Sequence, residues 1–290
     1  MTALPTCGIL GPGRLGKTIA LALHRLGCLR WVKGRSEQHA HWAALHGIPY
    51  VTQWSEAEPV EVLWITVPDT HITEVLAECA HHCAEWSLHC SLVHCAGSLG
   101  VSPFHALLPE GTELGAAHPF QTFPEPPDLH RLRCIGWLIE SPWHQTRQRL
   151  TLLVRALEGI PVVFATFDPH RRVLYHAAAV VASNTLFAVL HLAQHLARAA
   201  ELPELLFLQP IVQTSVTNFF ASLDSLPLTG PVVRGDWETL RRHLQELPAT
   251  EAAAYRHLCA ALGILARREG LLSSTQYQEL LALLGMPAQR

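Results

Sequence analysis

The sequence feature that most constrains the fold is a glycine-rich stretch at residues 7–18, Cys-Gly-Ile-Leu-Gly-Pro-Gly-Arg-Leu-Gly-Lys-Thr. Its glycines form a G-x-G-x-x-G pattern after a short apolar run and before residues of helical periodicity. In a strand–turn–helix unit the first glycine allows the sharp turn, the second lets the backbone approach a pyrophosphate, and the third lets the helix pack on the strand. The stretch therefore predicts a dinucleotide site held by Gly11, Pro12, Gly13, Arg14, Leu15 and Gly16.

The residues after the second predicted strand (29–32) indicate which dinucleotide binds. In folds of this kind an acidic residue there binds the ribose 2′-hydroxyl of NAD, whereas an arginine accommodates the 2′-phosphate of NADP. This sequence has no acidic residue before Glu37 and offers Lys33, Arg35 and Ser36 instead. We expect these three to bind the phosphate and predict NADP(H) as the cofactor. A solvated basic turn is the alternative interpretation.

The order of apolar runs predicts an α/β fold. Mainly apolar runs such as residues 60–67 and 91–94 are typical of parallel strands covered on both faces. Ligands of such sheets lie at the carboxyl ends of the strands, so we expect Val67, Pro68 and Gly97 to line the cofactor site. From residue 169 onward the pattern is helical only. The predicted architecture is a doubly wound, mainly parallel sheet at residues 1–165, followed by an all-α domain at residues 166–290.

Polar residues occur on one face of the first long predicted helix (171–200), where a core-facing stripe would be apolar. His176, Ser183 and Asn184 share this face with alanine and valine residues at helical spacing. Buried polar groups need hydrogen-bond partners, and a substrate is one such partner. A satisfied buried network or a helix-pairing face is the structural alternative.

Two loops add candidate substrate-binding residues. His-Pro-Phe-Gln-Thr-Phe follows the predicted strand 113–117 and contributes His118 and Gln121, although a purely structural turn accounts for it equally well. The loop 228–236 contributes Thr229 and Arg234, because a loop arginine is suited to holding an anion.

Composition narrows the expected partners and location. The formal net charge of −3 argues against nucleic acid or an anionic membrane as the main partner. No continuous apolar run reaches the roughly 20 residues of a spanning helix, and the first residues lack the blocks of a signal peptide. We therefore expect a cytoplasmic protein that binds neither nucleic acid nor membrane.

The cysteines do not predict a metal site. Eight cysteines without a secretion signal indicate reduced thiols. Cys79 and Cys83 stand at helical spacing and no C-x-x-C pair exists, so we predict no metal. A zinc site among the cysteines and histidines of residues 79–134 is the alternative.

Five motifs together resemble a known family. Gly-Pro-Gly-Arg-Leu-Gly, Val-Pro-Asp, His-Pro-Phe-Gln-Thr-Phe, Tyr-His-Ala-Ala-Ala-Val-Val-Ala-Ser-Asn and Leu-Thr-Gly-Pro-Val-Val-Arg-Gly-Asp occur in this order. Over nearly its whole length the chain resembles bacterial Rossmann-like proteins with a C-terminal domain of unknown function, which are often named NADP oxidoreductases. Wider relatives are pyrroline-5-carboxylate reductase, ketopantoate reductase, deazaflavin-dependent NADP oxidoreductase and the 6-phosphogluconate dehydrogenase group. The resemblance implies a Rossmann domain, a helical C-terminal domain of the 6-phosphogluconate-dehydrogenase type, and a homodimer built through the helices.

The resemblance also bears on the chemistry. In the β-hydroxyacid and ketopantoate branches, a lysine and an asparagine on the first long helix of the second domain carry out the chemistry. This sequence has no lysine there, because its only lysines are Lys17 and Lys33. His176 and Asn184 occupy the comparable helix, so we predict His176 as the general acid, with Asn184 and Ser183 orienting the substrate oxygen. The expected reaction is reduction of a small carbonyl or imine compound by NADPH in the cleft between the domains. The alternative is a non-catalytic NADP-binding sensor or dimeric scaffold.

Overall fold

The computed structural model describes residues 3–86, 89–222 and 227–287. The chain divides into two compact units, Met1–Thr185 and Leu186–Arg290. This division lies later in the chain than the predicted boundary at residues 165 and 166. The reason is that the first helix after the sheet contacts the sheet through Arg172 and Tyr175, which bond Glu140 and His118.

The first unit contains one eight-stranded sheet with the strand order β3-β2-β1-β4-β5-β6-β7-β8. Every neighbouring pair is parallel except β6 and β7, which are antiparallel. The predicted doubly wound sheet is thus confirmed. The strand order reverses between β1 and β4, which is where such sheets bind ligands. The strands are β1 (Cys7–Leu10), β2 (Leu29–Lys33), β3 (Tyr50–Val51), β4 (Val62–Ile65), β5 (Ser91–His94), β6 (Leu114–Pro119), β7 (Gly136–Glu140) and β8 (Ile160–Phe164).

Helices cover both faces of this sheet, which explains the mainly apolar runs. Ile9 and Trp64 face one core, which also contains residues of the first and fourth helices. Leu63 and Ile65, which flank Trp64 in sequence, face a second core with residues of the third helix. The helices of this unit are α1 (Arg14–Arg25), α2 (Glu37–Leu45), α3 (Ile72–Cys83), α4 (His144–Ala156) and α5 (Pro169–Val180).

Helix α3 begins without a side-chain cap. A 3₁₀ turn at Asp69–His71 precedes the helix, and the residue at the cap position, His71, makes no capping bond with its side chain. Asp69 instead accepts a hydrogen bond from Ser98 at 2.9 Å. The Asp69 carboxylate therefore links the segment after β4 to the segment after β5.

The second unit is helical around its own core, which includes Val232, Leu240 and Tyr277. Part of the predicted loop 228–236 forms a one-turn helix, and Asp236 caps the next helix through the Thr239 N–H at 3.1 Å. A π-helical turn at Val181–Thr185 joins α5 to the first helix of this unit. The helices are α6 (Leu186–Ala199), α7 (Glu204–Ala221), α8 (Pro231–Arg234), α9 (Trp237–Glu246), α10 (Ala249–Arg268) and α11 (Ser274–Leu283).

Much of the apolar surface of α6 and α7 is exposed. Phe187 is 72% exposed and Phe220 is 70% exposed. In the described part of the chain, one helix, Pro169–Ala199, is long and apolar enough to span a membrane by length and composition. Inspection of continuous runs missed it because scattered polar residues interrupt the apolar ones. Length and composition do not assign the helix to a membrane, because a helix-pairing interface needs the same exposed face.

Candidate active site

Two glycines of the β1–α1 connection are required by close contacts. Gly11 has φ +92°, and a Cβ atom there would lie 2.7 Å from Cγ1 of Val67. A Cβ atom at Gly16 would lie 2.4 Å from the Gly11 carbonyl oxygen and 2.5 Å from Oγ1 of Thr66. Thr66 also donates a hydrogen bond to the Gly11 oxygen at 2.7 Å. The turn and the helix–strand packing therefore both depend on the absence of side chains.

Gly13 differs because its α-carbon faces open space. A Cβ atom there would meet no heavy atom within 4 Å, and the residue lines a cavity of about 570 Å³. Gly13 is the N-cap of α1, whose first turn contains no acidic residue. The first N–H groups of a helix have no intrahelical acceptor and carry partial positive charge. The end of α1 at Gly13 therefore fits a pyrophosphate group.

The lining of the same cavity includes Lys33, Arg35, Ser36 and His39, at and after the end of β2, and Glu74 and Glu78 on α3. Arg35 is exposed and has no ion-pair or hydrogen-bond partner among the described residues. Ser36 accepts the Gln38 N–H at 3.2 Å, which leaves its own O–H free to donate. Lys33 donates to the Thr52 carbonyl oxygen, and burial lowers the pKa of Lys33. Arg35 is thus the most available cation for a 2′-phosphate.

The other predicted cofactor residues divide into two groups. Pro12, Val67 and Pro68 line the cavity with the glycines. Arg14 is exposed outside the lining, and Leu15 packs against the sheet core. Their role as cofactor ligands stays a prediction. Gly97 lies at neither the rim nor the floor of this cavity.

A second cavity of about 340 Å³ lies in the same unit, between α5, the π-helical turn and the segment after β6. Among the lining residues that the structure describes, none is lysine, arginine, aspartate or glutamate. The lining includes five residues that the sequence singled out: His118, Gln121, His176, Ser183 and Asn184.

The other two predicted substrate ligands lie in the second unit. Thr229 is exposed in the segment before α8, and Arg234 is the exposed last residue of α8. Their role in substrate binding stays a prediction.

The π-helical turn shapes one wall of the second cavity. Ser183 donates to the Ala179 carbonyl oxygen at 2.6 Å and lies 3.0 Å from Oδ1 of Asn184. Asn184 is exposed, so its amide group is accessible from the cavity. Single π turns inside α-helices are frequent at functional sites.

Two histidines meet around Gly97. A Cβ atom at Gly97 would lie 2.7 Å from Nε2 of His118 and 2.8 Å from Nδ1 of His176, so only glycine leaves room for both rings. Nδ1 of His118 lies 2.7 Å from the Tyr175 hydroxyl. Burial, with smaller contributions from His176 and Arg172, lowers the pKa of His118 to about 4. His118 is therefore a neutral imidazole at neutral pH.

A buried ion pair holds α5, which carries His176, against the sheet. Arg172 on α5 pairs with Glu140 at the end of β7, and the two residues are 3% and 1% exposed. The Arg172 guanidinium also lies 5.2 Å from the centre of the Phe167 ring. The pair fixes α5, and with it Tyr175 and His176, against the sheet.

Sequence reasoning missed Tyr175, Arg172 and Glu140. Tyr175 precedes His176 directly in the Tyr-His motif, and Arg172 lies one helical turn earlier. That spacing was the available signal for the two α5 residues. Glu140 gave no signal, because α4 and β8 separate it in sequence from its partner Arg172.

The described residues contain no group of three or more His, Cys, Asp or Glu side chains placed to hold a metal ion. Cys79 is buried on α3, and burial raises the pKa of its thiol. Both observations disfavour the zinc alternative, and the absence of a metal site stays a prediction.

Comparison with known proteins agrees with the fold. Residues 135–262 match the family described as a domain of unknown function, DUF2520. Among the curated proteins, none matches the chain. The matched residues include β7, α4 and β8 of the first unit and most of the helical second unit. The resemblance to Rossmann-like proteins with a C-terminal domain of unknown function is confirmed.

Solved structures share this fold along most of the chain. A Bacteroides fragilis protein named as an NADP oxidoreductase is 24% identical, with a TM-score of 0.68 over 92% of this chain and 98% of that one. A Coxiella burnetii pyrroline-5-carboxylate reductase is 14% identical, with a TM-score of 0.60 over 99% and 100%. An imine reductase from Myxococcus stipitatus, in complex with NADP⁺, is 16% identical, with a TM-score of 0.63 over 91% and 93%. At these identities the similarity concerns the fold.

Proposed function

We propose that the chain is an NADP(H)-dependent oxidoreductase that reduces a small carbonyl or imine compound by hydride transfer. The observation that carries this proposal is the second cavity, where five polar candidate residues converge without a permanent charge. This second cavity belongs to the same unit as the glycine-rich cavity. Gly97, which follows β5, lies next to His118 and His176 of the second cavity. Proteins with this fold that are named as NADP oxidoreductases or imine reductases support the same reaction type.

The cofactor assignment rests on the first cavity. Gly13 and the start of α1 fit the pyrophosphate, and Arg35 with Ser36 fits a 2′-phosphate. When bound, NADPH supplies the hydride that adds to the carbon of the C=O or C=N group. The protein's part is to hold the substrate and to supply a proton to the oxygen or nitrogen.

His176 is the residue that we assign as proton donor. Its Nδ1 atom is buried and has no hydrogen-bond partner among the described residues, and His176 is one of the residues that line the cavity. An imidazole side chain is the commonest general acid or base in enzymes. Asn184 lines the same cavity, and its amide would orient the substrate oxygen or nitrogen. Ser183 also lines it, but its hydroxyl proton goes to the Ala179 carbonyl oxygen, so its hydroxyl would take part as an acceptor.

The test is consumption of NADPH by the full-length protein with a panel of small ketones and cyclic imines. We expect turnover with at least one compound, and a loss in kcat of about 10²–10⁴-fold in His176→Ala with NADPH affinity unchanged. His191→Ala, which removes an exposed histidine of α6, is the matched control. An unchanged kcat in His176→Ala would remove the assignment of that residue.

A non-catalytic NADP-binding sensor or scaffold is the second candidate function. It is favoured by the absence of lysine from the first long helix, since the only lysines are Lys17 and Lys33. This candidate predicts that NADPH binds and that no compound of the panel is reduced.

We also propose a homodimer formed through the apolar faces of α6 and α7. Monomeric soluble proteins rarely expose contiguous apolar patches of this kind, and Phe187, Leu205 and Phe220 are each at least 70% exposed. A cytoplasmic location, and the absence of nucleic-acid and membrane partners, belong to the same proposal.

A further inference from the structure

The His118–Tyr175 contact is the best-defined polar contact at the second cavity. Nδ1 of His118 lies 2.7 Å from the Tyr175 hydroxyl, which is 3.5 Å from the His118 carbonyl oxygen. The Tyr175 ring is held by Phe120 and Phe167, whose ring centres lie 5.2 Å and 6.3 Å away. Tyr175 is thus fixed on both sides and directs its hydroxyl at one nitrogen of His118.

Each of the two groups can donate in this contact, and the direction with the phenol as donor is part of the inference. Burial raises the pKa of Tyr175 to about 12, so the phenol keeps its proton. The nearer acceptor for that proton is Nδ1 of His118 rather than the carbonyl oxygen at 3.5 Å. A neutral imidazole that accepts at Nδ1 carries its proton on Nε2. Nε2 is the atom that faces Gly97 and the His176 ring.

We propose that Tyr175 is a positioning residue that fixes His118 as the Nε2–H tautomer, so that His118 donates a hydrogen bond to the substrate. The acceptor is the carbonyl oxygen or imine nitrogen of the proposed reaction, so this inference rests on the proposed function. A neutral imidazole that donates in this way polarises the C=O or C=N bond without giving up its proton. His118 then stabilises developing charge, and His176 supplies the proton.

The groups around His118 agree with a neutral donor. The positive charge of Arg172 and the neighbouring His176 ring both disfavour a proton on the second nitrogen. Arg172 is itself held by Glu140, so this charge stays in place. A role of Tyr175 in packing alone would leave the tautomer of His118 unspecified, and this is the difference that an experiment can measure.

The chain contains a matched control for the Tyr175–His118 pair. In the second unit, the Tyr255 hydroxyl lies 2.8 Å from Nδ1 of His243, which is exposed. Tyr255→Phe therefore removes the same type of hydrogen bond at a distance from the candidate site in sequence.

The test is a long-range ¹H–¹⁵N correlation spectrum of the full-length protein labelled with ¹⁵N-histidine, recorded at pH 7. His118→Gln assigns the His118 signals by their loss. We expect wild-type His118 to be protonated at Nε2 and not at Nδ1, Tyr175→Phe to give a mixture of tautomers, and Tyr255→Phe to leave His118 unchanged. A wild-type His118 protonated at Nδ1 would overturn the proposal, as would an unaltered tautomer in a folded Tyr175→Phe variant. If Tyr175→Phe does not fold, the wild-type tautomer alone decides.

A kinetic measurement separates this inference from the proposed function. With NADPH and the small cyclic imine pyrroline, we expect Tyr175→Phe to lower kcat about tenfold or more, with NADPH affinity unchanged. Absence of turnover by the wild-type protein would count against the proposed function with this imine. The tautomer of His118 still decides the role of Tyr175 in that case.

Discussion

Gly13 and Gly16 lie three residues apart, yet their surroundings give them different roles. Gly16 is closed in by the Gly11 carbonyl oxygen and Thr66, whereas Gly13 faces the cavity. A side chain at Gly16 would therefore force the backbone to move, whereas a side chain at Gly13 would not. The sequence pattern assigned the pyrophosphate contact to Gly13 and the helix–strand packing to Gly16, and the contacts around Gly16 agree with the second assignment.

Two alanine substitutions test this difference. Gly16→Ala is expected to lower the free energy of unfolding by about 1–3 kcal/mol, because its Cβ atom clashes with backbone. Gly13→Ala is expected to change that free energy by less than about 0.5 kcal/mol, because φ −75° suits alanine and no atom lies near. It should still weaken NADPH binding about tenfold, since the new methyl group occupies the space for the pyrophosphate. Urea unfolding and nucleotide titration of both variants check this, and equal stability losses would contradict it.

His94 makes stability depend on pH. Burial lowers the pKa of His94 to about 4, from an ordinary value of 6.5. Between these values the unfolded chain takes up a proton that the folded protein does not. The stability contributed by neutral His94 is therefore complete above pH 6.5 and is lost as the pH falls toward 4.

The expected effect of His94 is about 2 kcal/mol between pH 6.5 and pH 5, because each pH unit contributes at most about 1.4 kcal/mol. We expect the free energy of unfolding of the wild-type protein to fall by about 2 kcal/mol more than that of His94→Gln between pH 7 and pH 5. Urea unfolding at the two pH values measures both losses. His81→Gln removes an exposed histidine and should behave as the wild type. An equal loss in His94→Gln would show that His94 is not the titrating group.

At the scale of elements, sequence patterns predicted most of the fold and only part of the site. The central strands of the sheet were predicted, among them 29–32, 60–67, 91–94 and 113–117, because mainly apolar runs bounded by glycine, proline and polar turns specify local structure. The π-helical turn was not, since Ser183, Asn184 and Thr185 are compatible with an ordinary helix. Long-range pairing was not predicted either. The Arg172–Glu140 and Tyr175–His118 contacts join different elements, and no local pattern encodes them.

The Arg172–Glu140 pair should hold α5 in place. Arg172→Met leaves a buried carboxylate without its partner, so we expect a loss of about 3–5 kcal/mol in the free energy of unfolding. The matched control is Arg241→Met, which removes an exposed pair with Glu238 and should cost less than about 1 kcal/mol. Urea unfolding of both variants measures the difference. Similar losses in the two would mean that the buried pair does not fix α5.

At the scale of the whole molecule, the exposed apolar faces of α6 and α7 predict self-association. Phe187→Asp together with Phe220→Asp is expected to convert a dimer to a monomer, because each change places a charge on the proposed interface. Leu45→Asp, at a side chain on α2 that is 70% exposed, is the control and should leave the dimer intact. Light scattering after size-exclusion chromatography gives the masses. A monomeric wild-type protein at micromolar concentration would contradict the proposed dimer.

The central claim is that the cavity at the glycine loop binds NADP(H) and that Arg35 recognises its 2′-phosphate. The measurement that tests it most directly is a paired titration with NADPH and NADH, followed by tryptophan fluorescence. We expect NADPH to bind at least about tenfold more tightly than NADH. Arg35→Ala should abolish this preference, and Arg30→Ala, an exposed arginine on β2, should retain it. Equal affinities in the wild-type protein would contradict the role of Arg35, and binding of neither nucleotide would contradict the oxidoreductase proposal as a whole.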